Sequence, residues 1–238
     1  MMRLDKYLAD CAQGSRSVLK EKIRKGQVTV NGTVIKQPDY KIQEDADMVC
    51  MEGNPVTYRK YAYYLLHKPA GTVCAVKDNT APTVLSLLSG VTDKGLFPVG
   101  RLDKDTTGLL LITNDGALAH YLLSPARHVD KTYLVTPKDP LSEEALKQLT
   151  EGVDIGDDTR TLPAKAKLLP ETGQLLLTIR EGRYHQVKRM LKAVGNEVLS
   201  LKRCSFGPLV LEKDPAPGCF RPLTEEETQK LRALMPCT

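Results

Sequence analysis

The chain has 238 residues, of which 41% are hydrophobic and 26% charged, and its formal net charge is +5. This length suits one large or two smaller domains, and the hydrophobic content is sufficient for a packed core. No apolar run approaches the roughly 20 residues of a membrane-spanning helix, and the N-terminus becomes polar at once, unlike a signal peptide. We therefore expect a cytoplasmic protein without a membrane partner.

Six cysteines are spread along the chain, and no two of them have the C-x-x-C spacing. His67 and Cys74 lie near each other in sequence, but no second pair of ligands completes a zinc site. We therefore expect reduced thiols and no bound metal ion.

The first patterned segment predicts two helices followed by a hairpin. Leu4 and Leu8 share one helical face, and Ser15 is placed to cap a second helix that extends to about Lys25. Residues 28–35 alternate around an Asn-Gly pair, which is typical of a β-hairpin with a two-residue turn.

This N-terminal module, assigned to residues 1–55, carries the positive charge of the chain. Residues 1–36 contain eight Lys or Arg and three Asp or Glu, which accounts for the whole net excess. Arg16, Lys20 and Arg24 recur every four residues, so they form a basic stripe on the second helix. Many such stripes are only solvated faces, but on a compact module a basic face suits the RNA backbone. The predicted RNA contacts are Arg3, Arg16, Lys20, Arg24 and Lys25.

A polar stretch follows the module and indicates a domain boundary. Residues 53–60 are short and interrupted by Pro55, and we assign 56–60 as a linker before a second domain at 61–238. Strands and helices mix there without regular βαβ spacing, which predicts an α+β fold with a mainly antiparallel sheet. The predicted strands are 61–66, 109–112, 131–135, 175–179 and 198–201, and the predicted helices are 82–88, 117–123, 184–194 and those following Ser142 and Thr224.

The polar loop between Gly100 and Gly108 directly precedes the apolar run 109–112. A loop held against a sheet can fix a reactive side chain, and Asp103 is our candidate. On the residues alone two alternatives stay open. One is an ordinary turn, since Asp and Thr side chains bond nearby backbone groups. The other is a phosphatase loop of the Asp-x-Asp-x-Thr type, which requires a buried strand ending at Asp103, and the preceding residues make a poor strand.

Four segments resemble the RNA pseudouridine synthases, in that family's order. They are GRLDKDTTGLLLITNDG at 100–116, HKPAG at 67–71, KTY at 131–133 and EGRYHQVKRM at 181–190. The match is to the branch that contains the small-subunit rRNA enzyme, and the N-terminal module resembles the alpha-L RNA-binding module often fused to this branch. The resemblance implies an isomerase that converts a flipped-out uridine of ribosomal RNA to pseudouridine without cofactor or metal.

The same resemblance implies roles for individual residues. Asp103 carries over as the nucleophile, and Tyr133 as the ring that stacks on the uracil and is suited to handle its C5 proton. Lys188 carries over as the basic partner that keeps Asp103 ionised, with Arg183 as the alternative. The implied substrate-binding residues are Arg101, which replaces the extruded base, Arg183, and Leu201, which closes the floor of the pocket.

The expected partner is ribosomal RNA, in particular 16S rRNA or an assembling small-subunit particle, and we expect a monomer. The alternatives are a synthase acting on a large-subunit site and a non-catalytic RNA-binding or ribosome-assembly protein with the same fold. The non-catalytic protein could lose Asp103, Tyr133 and a basic residue at 188 freely, and all three are present. We interpret His185 as a structural hydrogen-bonding residue.

Overall fold

The structure, a computed structural model, describes residues 1–11, 13–44, 46–58, 60–127, 129–211 and 215–236. The chain divides into two compact units, Met1–Ala62 with Gly90–Gly95, and Tyr63–Ser89 with Leu96–Thr238. Cys237, one of the six expected thiols, lies outside the described residues, as does Arg59 of the predicted linker. No helix in the described ranges is long and apolar enough to cross a membrane.

The first unit has the predicted helix–helix–hairpin order. Its elements in the described residues are β1 (Met2–Arg3), α1 (Leu4–Asp10), α2 (Arg16–Arg24), β2 (Val28–Val30), β3 (Thr33–Val34), β4 (Lys41–Ile42), β5 (Val49–Met51) and β6 (Asn54–Val56). β1 pairs with β4, and a second antiparallel sheet has the order β3-β2-β5-β6. The predicted hairpin turn is confirmed, because Asn31 and Gly32 have φ of 51° and 80°, both positive as a type I′ turn requires.

The start of the expected linker is a strand instead. β6 pairs with β5 across the turn residues Glu52 and Gly53, and Pro55 lies opposite Cys50. β6 is at the edge of its sheet, where a residue without an N–H group removes no ladder bond. The buried Tyr7 hydroxyl donates to the Val56 carbonyl at 2.8 Å, which ties this edge to α1.

The second unit is built around one large sheet. Its described elements are β7 (Tyr63–Lys68), β8 (Phe97–Pro98), β9 (Thr107–Thr113), α3 (Gly116–Leu123), β10 (Lys131–Pro137), α4 (Glu143–Glu151), β11 (Lys165–Leu169), β12 (Gln174–Ile179), α5 (Gln186–Ala193), β13 (Val198–Phe206), β14 (Leu209–Val210), β15 (Phe220–Pro222) and α6 (Glu225–Arg232), with 3₁₀ turns at Val84–Leu87 and Pro125–Arg127. The order is β11-β12-β10-β13-β9-β7-β15, with β14 beside β13 and β8 beside β9. Among these described pairs only β9 with β13 is parallel. The predicted α+β fold with a mainly antiparallel sheet is confirmed.

Local signals in the sequence set the helix ends of this unit. The Ser142 hydroxyl accepts from the Ala145 amide at the start of α4. Thr224 and Glu227 form the predicted capping box of α6. The helix expected at 82–88 is instead a single 3₁₀ turn, Val84–Leu87, in which the Ser86 amide donates to Thr83 and the Leu88 amide to Leu85, three residues back.

The central strand β9 carries the loop of interest at its N-terminal end. Leu109 to Ile112 are fully buried, so both faces of the strand are covered. β9 runs parallel to β13, and Gly108 lies opposite Arg203. A Cβ atom at Gly108, whose φ is +106°, would lie 2.3 Å from the Arg203 carbonyl oxygen. Glycine at this position therefore allows β13 to approach the end of the loop.

Candidate active site and nucleic-acid interface

The loop before β9 is fixed by its middle residue. Leu102 is buried in the apolar core, and its amide donates to the Cys74 sulfur at 3.3 Å. The Thr106 amide donates to the Asp103 carbonyl at 3.1 Å and closes a tight turn. Arg101 is exposed on one side of Leu102, and the Asp103 carboxylate on the other side keeps 26% of its surface.

A buried lysine holds the backbone of this loop. Lys68, at the end of β7, is fully buried. Its ammonium donates to the carbonyls of Pro69 (3.1 Å), Asp103 (3.0 Å), Lys104 (3.3 Å) and Thr106 (2.8 Å). An ammonium has three N–H bonds, so at least one of them is shared between two acceptors. Burial lowers the pKa of Lys68, and these carbonyl dipoles replace the water that the cation has lost.

The Asp103 carboxylate faces a shared cation. Lys188 Nζ lies 3.2 Å from Asp103 Oδ2, and it donates to both Asp105 oxygens at 2.7 and 2.8 Å. Partial burial acts to lower the pKa of Lys188, but the bonds to Asp105 and Asp103 outweigh it and raise that pKa. The Lys188 hydrogen bond holds the pKa of Asp105 below its usual value. The raised pKa keeps Lys188 protonated, so its ammonium lies as a positive charge beside Asp103.

The six site residues predicted for the second domain line one cavity. Tyr133 on β10 and Leu201 on β13 are both nearly buried and face it from the sheet. Asp103 enters from the loop before β9, and Lys188 from the first turn of α5. The cavity residues from this set are Arg101, Asp103, Tyr133, Arg183, Lys188 and Leu201. A carboxylate, a cation and a phenol thus converge above an apolar floor.

Arg183 lines this cavity, but its guanidinium makes bonds elsewhere. It donates to Glu181 at 2.9 Å, to the Thr159 carbonyl at 2.6 Å and to the Arg160 carbonyl at 2.9 Å. Among the described residues the ion pair of Asp103 with a lysine or arginine is made by Lys188, whereas Arg183 pairs with Asp157 and Glu181.

Sequence reasoning missed three contributors to this site. Lys68 and Asp105 belong to recognised motifs, but no periodicity indicates that one binds four carbonyls or that the other shares Lys188. The sequence indicates only a structural hydrogen-bonding role for His185, yet its Nε2 lies 3.5 Å from Asp103 Oδ1. It adopts a left-handed conformation, with φ 48° and ψ 34°, directly before α5. Such a conformation in a non-glycine residue is found preferentially where a site demands it.

The basic stripe of the first unit is open to solvent. Arg16 and Arg24 are exposed and Lys20 is half-buried, whereas Leu19 and Ile23 of the same helix are fully buried. Within the described residues no ion pair involves the three stripe cations. The other two predicted RNA contacts have carboxylate partners, since Arg3 bonds Asp5 and Lys25 bonds Glu21. The stripe cations therefore differ from Arg3 and Lys25, whose charges are paired with carboxylates.

The phosphatase interpretation of the loop, which would require a magnesium ion, finds no support in the geometry. No three His, Cys, Asp or Glu side chains in the described residues are grouped so as to hold a metal ion. The phosphatase interpretation also needs a strand that ends at Asp103, whereas β9 begins four residues after it and β8 is only Phe97–Pro98.

Comparison with known proteins adds independent findings. Residues 62–193 match the family described as RNA pseudouridylate synthase, and residues 2–48 match the S4 domain. The chain is 46% identical to an uncharacterized RNA pseudouridine synthase, YtzG, of Bacillus subtilis, covering 97% of this chain and 98% of that protein. It is 43% identical to ribosomal small subunit pseudouridine synthase A of Escherichia coli, covering 95% and 98%. A crystal structure of a pseudouridylate synthase superposes with a TM-score of 0.68 at 39% identity, covering 97% of this chain and 100% of that one.

Proposed function

Because the chain belongs to the RNA pseudouridylate synthase family, we propose that it isomerises one uridine of ribosomal RNA to pseudouridine, with Asp103 as nucleophile. The observation that carries this proposal is the Asp103 carboxylate held 3.2 Å from Lys188 in a cavity with Tyr133 and Leu201. We further propose a site in 16S rRNA, because a relative that is 43% identical over nearly the full length is named for the small ribosomal subunit. The cytoplasm is the compartment in which such a substrate is available.

Pseudouridine formation breaks the bond between N1 of uracil and C1′ of ribose, and forms a bond between C5 and C1′. One proton leaves C5 and one proton binds N1, so atoms and charge balance without a cofactor. A carboxylate can carry the covalent intermediate, on the base or on the sugar. In our proposal the Lys188 ammonium, 3.2 Å from the Asp103 carboxylate, orients that carboxylate, and the Tyr133 hydroxyl handles the C5 proton.

The target uracil must leave the RNA stack before Asp103 can reach it. Arg101 is exposed two residues before Asp103, so we assign it the space that the extruded base leaves. The ring of Tyr133 and the side chain of Leu201 supply apolar surface for the uracil. Arg183 contributes by shaping the cavity wall, because its guanidinium is occupied by Glu181 and backbone carbonyls.

The S4 domain supplies affinity for the substrate in this proposal. Arg16, Lys20 and Arg24 are the cations that a phosphate backbone would meet, because they point away from the apolar core of their helix. We keep Arg3 and Lys25 as further contacts, which would have to exchange Asp5 and Glu21 for phosphate. The residues 1–55, 56–60 and 61–238 remain our proposed functional division into RNA-binding module, linker and catalytic domain.

The decisive test compares wild type with Asp103→Asn. The variant should fold and bind RNA but form no pseudouridine, because an amide cannot replace the ionised carboxylate. Asp158→Asn, which changes an exposed carboxylate of the same unit, is the matched control. Modified uridines are mapped in 16S and 23S rRNA with and without each protein. Product from pure Asp103→Asn at a hundredth of the wild-type rate would mean that another residue is the nucleophile.

The same map separates the other assignments. A new pseudouridine in 23S rRNA and none in 16S rRNA would move the substrate to the large subunit. Tight RNA binding by wild type with no product in either RNA would favour a non-catalytic assembly protein.

A further inference from the structure

We propose that Tyr184 and His185 form a stacking platform for the base of a nucleotide that flanks the target uridine. The inference rests on the proposed function and adds a second nucleotide-binding position to it. The platform would hold the RNA strand at the mouth of the cavity while the target base occupies the interior.

The two rings are already stacked on each other. Their centroids are 3.9 Å apart and their planes differ by 16°. Tyr184 is 76% exposed, the highest value among the exposed aromatic residues in the described part of the chain. Covering an aromatic ring of this size is favourable because it removes apolar surface from water. The exposed face of the Tyr184 ring is a flat surface of the kind on which any nucleobase can stack.

The platform starts at the reacting carboxylate. His185 lines the cavity, and its Nε2 is 3.5 Å from Asp103 Oδ1, while the Tyr184 ring stacks on the imidazole. A uridine that reaches Asp103 is covalently linked to neighbours that must remain near the cavity mouth. The Tyr184 ring, stacked on His185 and exposed, is available to such a neighbour.

The backbone beneath the platform is held rigidly. Arg189 donates to the Tyr184 carbonyl at 3.1 Å. The buried Gln186 side chain accepts from the Arg183 amide at 2.9 Å and donates to Glu181 at 2.7 Å. The left-handed conformation of His185 turns the chain between these anchors. A platform that is ordered before binding loses little conformational entropy when a base stacks on it, which makes the contact effective.

The chemistry of the rim favours a nucleotide over an apolar protein segment. The exposed guanidinium of Arg101 lines the same cavity as His185, so an incoming strand meets a cation as well as rings. Alternating cations and aromatic rings are the usual composition of surfaces that bind single-stranded RNA without reading its sequence.

Steady-state and single-turnover kinetics on 16S rRNA test the platform. Tyr184→Ala should raise KM roughly tenfold, the effect of losing one base–aromatic stack, with a much smaller change in the rate at saturating RNA. Tyr184→Phe keeps the ring and should have the KM of wild type. Leu199→Ala removes another exposed apolar side chain, 65% exposed on β13, and serves as the matched control. An unchanged KM in Tyr184→Ala, or an equal rise in Leu199→Ala, would overturn the proposal.

A second measurement reports stacking directly. 2-Aminopurine is placed beside the mapped uridine, on the 5′ side in one RNA and on the 3′ side in another. Its fluorescence is read with Asp103→Asn, which should bind without turnover. The 2-aminopurine fluorescence of one of the two RNAs should be quenched when this protein binds. The double variant that also carries Tyr184→Ala should not quench it, whereas the double variant with Tyr184→Phe should. Equal quenching with and without the ring would refute the platform.

The two proposals fail in different ways. Absence of pseudouridine with wild-type protein refutes the proposed function before any Tyr184 variant is compared. Wild-type product together with unaltered KM and quenching in Tyr184→Ala refutes the platform alone.

Discussion

Replacing the buried Lys68 by Met should both destabilise the second unit and slow catalysis. Met has a similar length and apolar character, so the main change is the loss of one ammonium from its four carbonyl acceptors, which lie at 2.8 to 3.3 Å. Two of those acceptors, Asp103 and Thr106, are the ends of the turn that carries the candidate nucleophile.

The size of the effect follows from the contacts. A hydrogen bond to a charged group contributes about 1.5–3 kcal/mol, and Lys68 can donate three. Burial of the ammonium offsets part of this gain, as the lowered pKa of Lys68 indicates. Met cannot donate to these carbonyls, and a buried acceptor left without a donor costs about 1–3 kcal/mol, so with several carbonyls affected we expect the free energy of unfolding to fall by about 3 kcal/mol. Displacement of Asp103 by about 1 Å would slow turnover by up to about a hundredfold.

Urea denaturation and single-turnover rates on 16S rRNA measure the two effects. Lys104→Met is the matched control, because Lys104 is an exposed lysine of the same loop and should change stability by at most about 0.5 kcal/mol. RNA affinity should change little in both variants, since the stripe cations are untouched. A loss below about 1 kcal/mol in Lys68→Met, or an unchanged rate, would refute the view that this ammonium organises the loop.

Three further predictions concern charge and the site. Burial lowers the pKa of Lys131 to about 8, so between pH 8 and 10.5 the unfolded chain binds a proton that the folded chain lacks. The free energy of unfolding of wild type should therefore rise by up to about 3 kcal/mol relative to that of Lys131→Met as the pH rises through this range. Urea denaturation of both proteins at pH 7 and 10 measures this difference. Tyr133→Phe should bind RNA but lose turnover, and Tyr133→Ala should also weaken binding; full activity of the Phe variant would leave the ring with stacking alone. Neutral replacement of Arg16, Lys20 and Arg24 should reduce the slope of log affinity against log salt by roughly two to three units, at about 0.7–0.9 per contact, with the rate at saturation unchanged. An unchanged salt slope would mean that the stripe is only a solvated face.

Patterns in the sequence predicted the long elements of the fold well. Central strands such as β9 and β10 follow from apolar runs and alternation, and the cap residues Ser142 and Thr224 locate helix starts, because these signals act through neighbouring residues. Short or polar strands such as β6 and β11 were missed. Such strands form at sheet edges, where pairing with a neighbour rather than local propensity decides the conformation.

In the candidate site too, some features follow from the sequence and others only from the packing of the chain. The sequence by itself determined the family, through four ordered motifs, and with it Asp103 as the candidate nucleophile. Tertiary structure decided the partners: Lys188 faces Asp103 while Arg183 bonds Glu181, and His185 comes within 3.5 Å of the carboxylate.

The physical reason is the range over which each signal acts. Helix caps, turns and alternation depend on atoms a few residues apart, so a sequence displays them directly. The ammonium of Lys68 meets the carbonyls of Asp103 and Thr106 more than thirty residues away, and only the pairing of β7 with β9 brings them together. Periodicity does not encode which carbonyl a buried cation will bind, because that depends on how the strands pack.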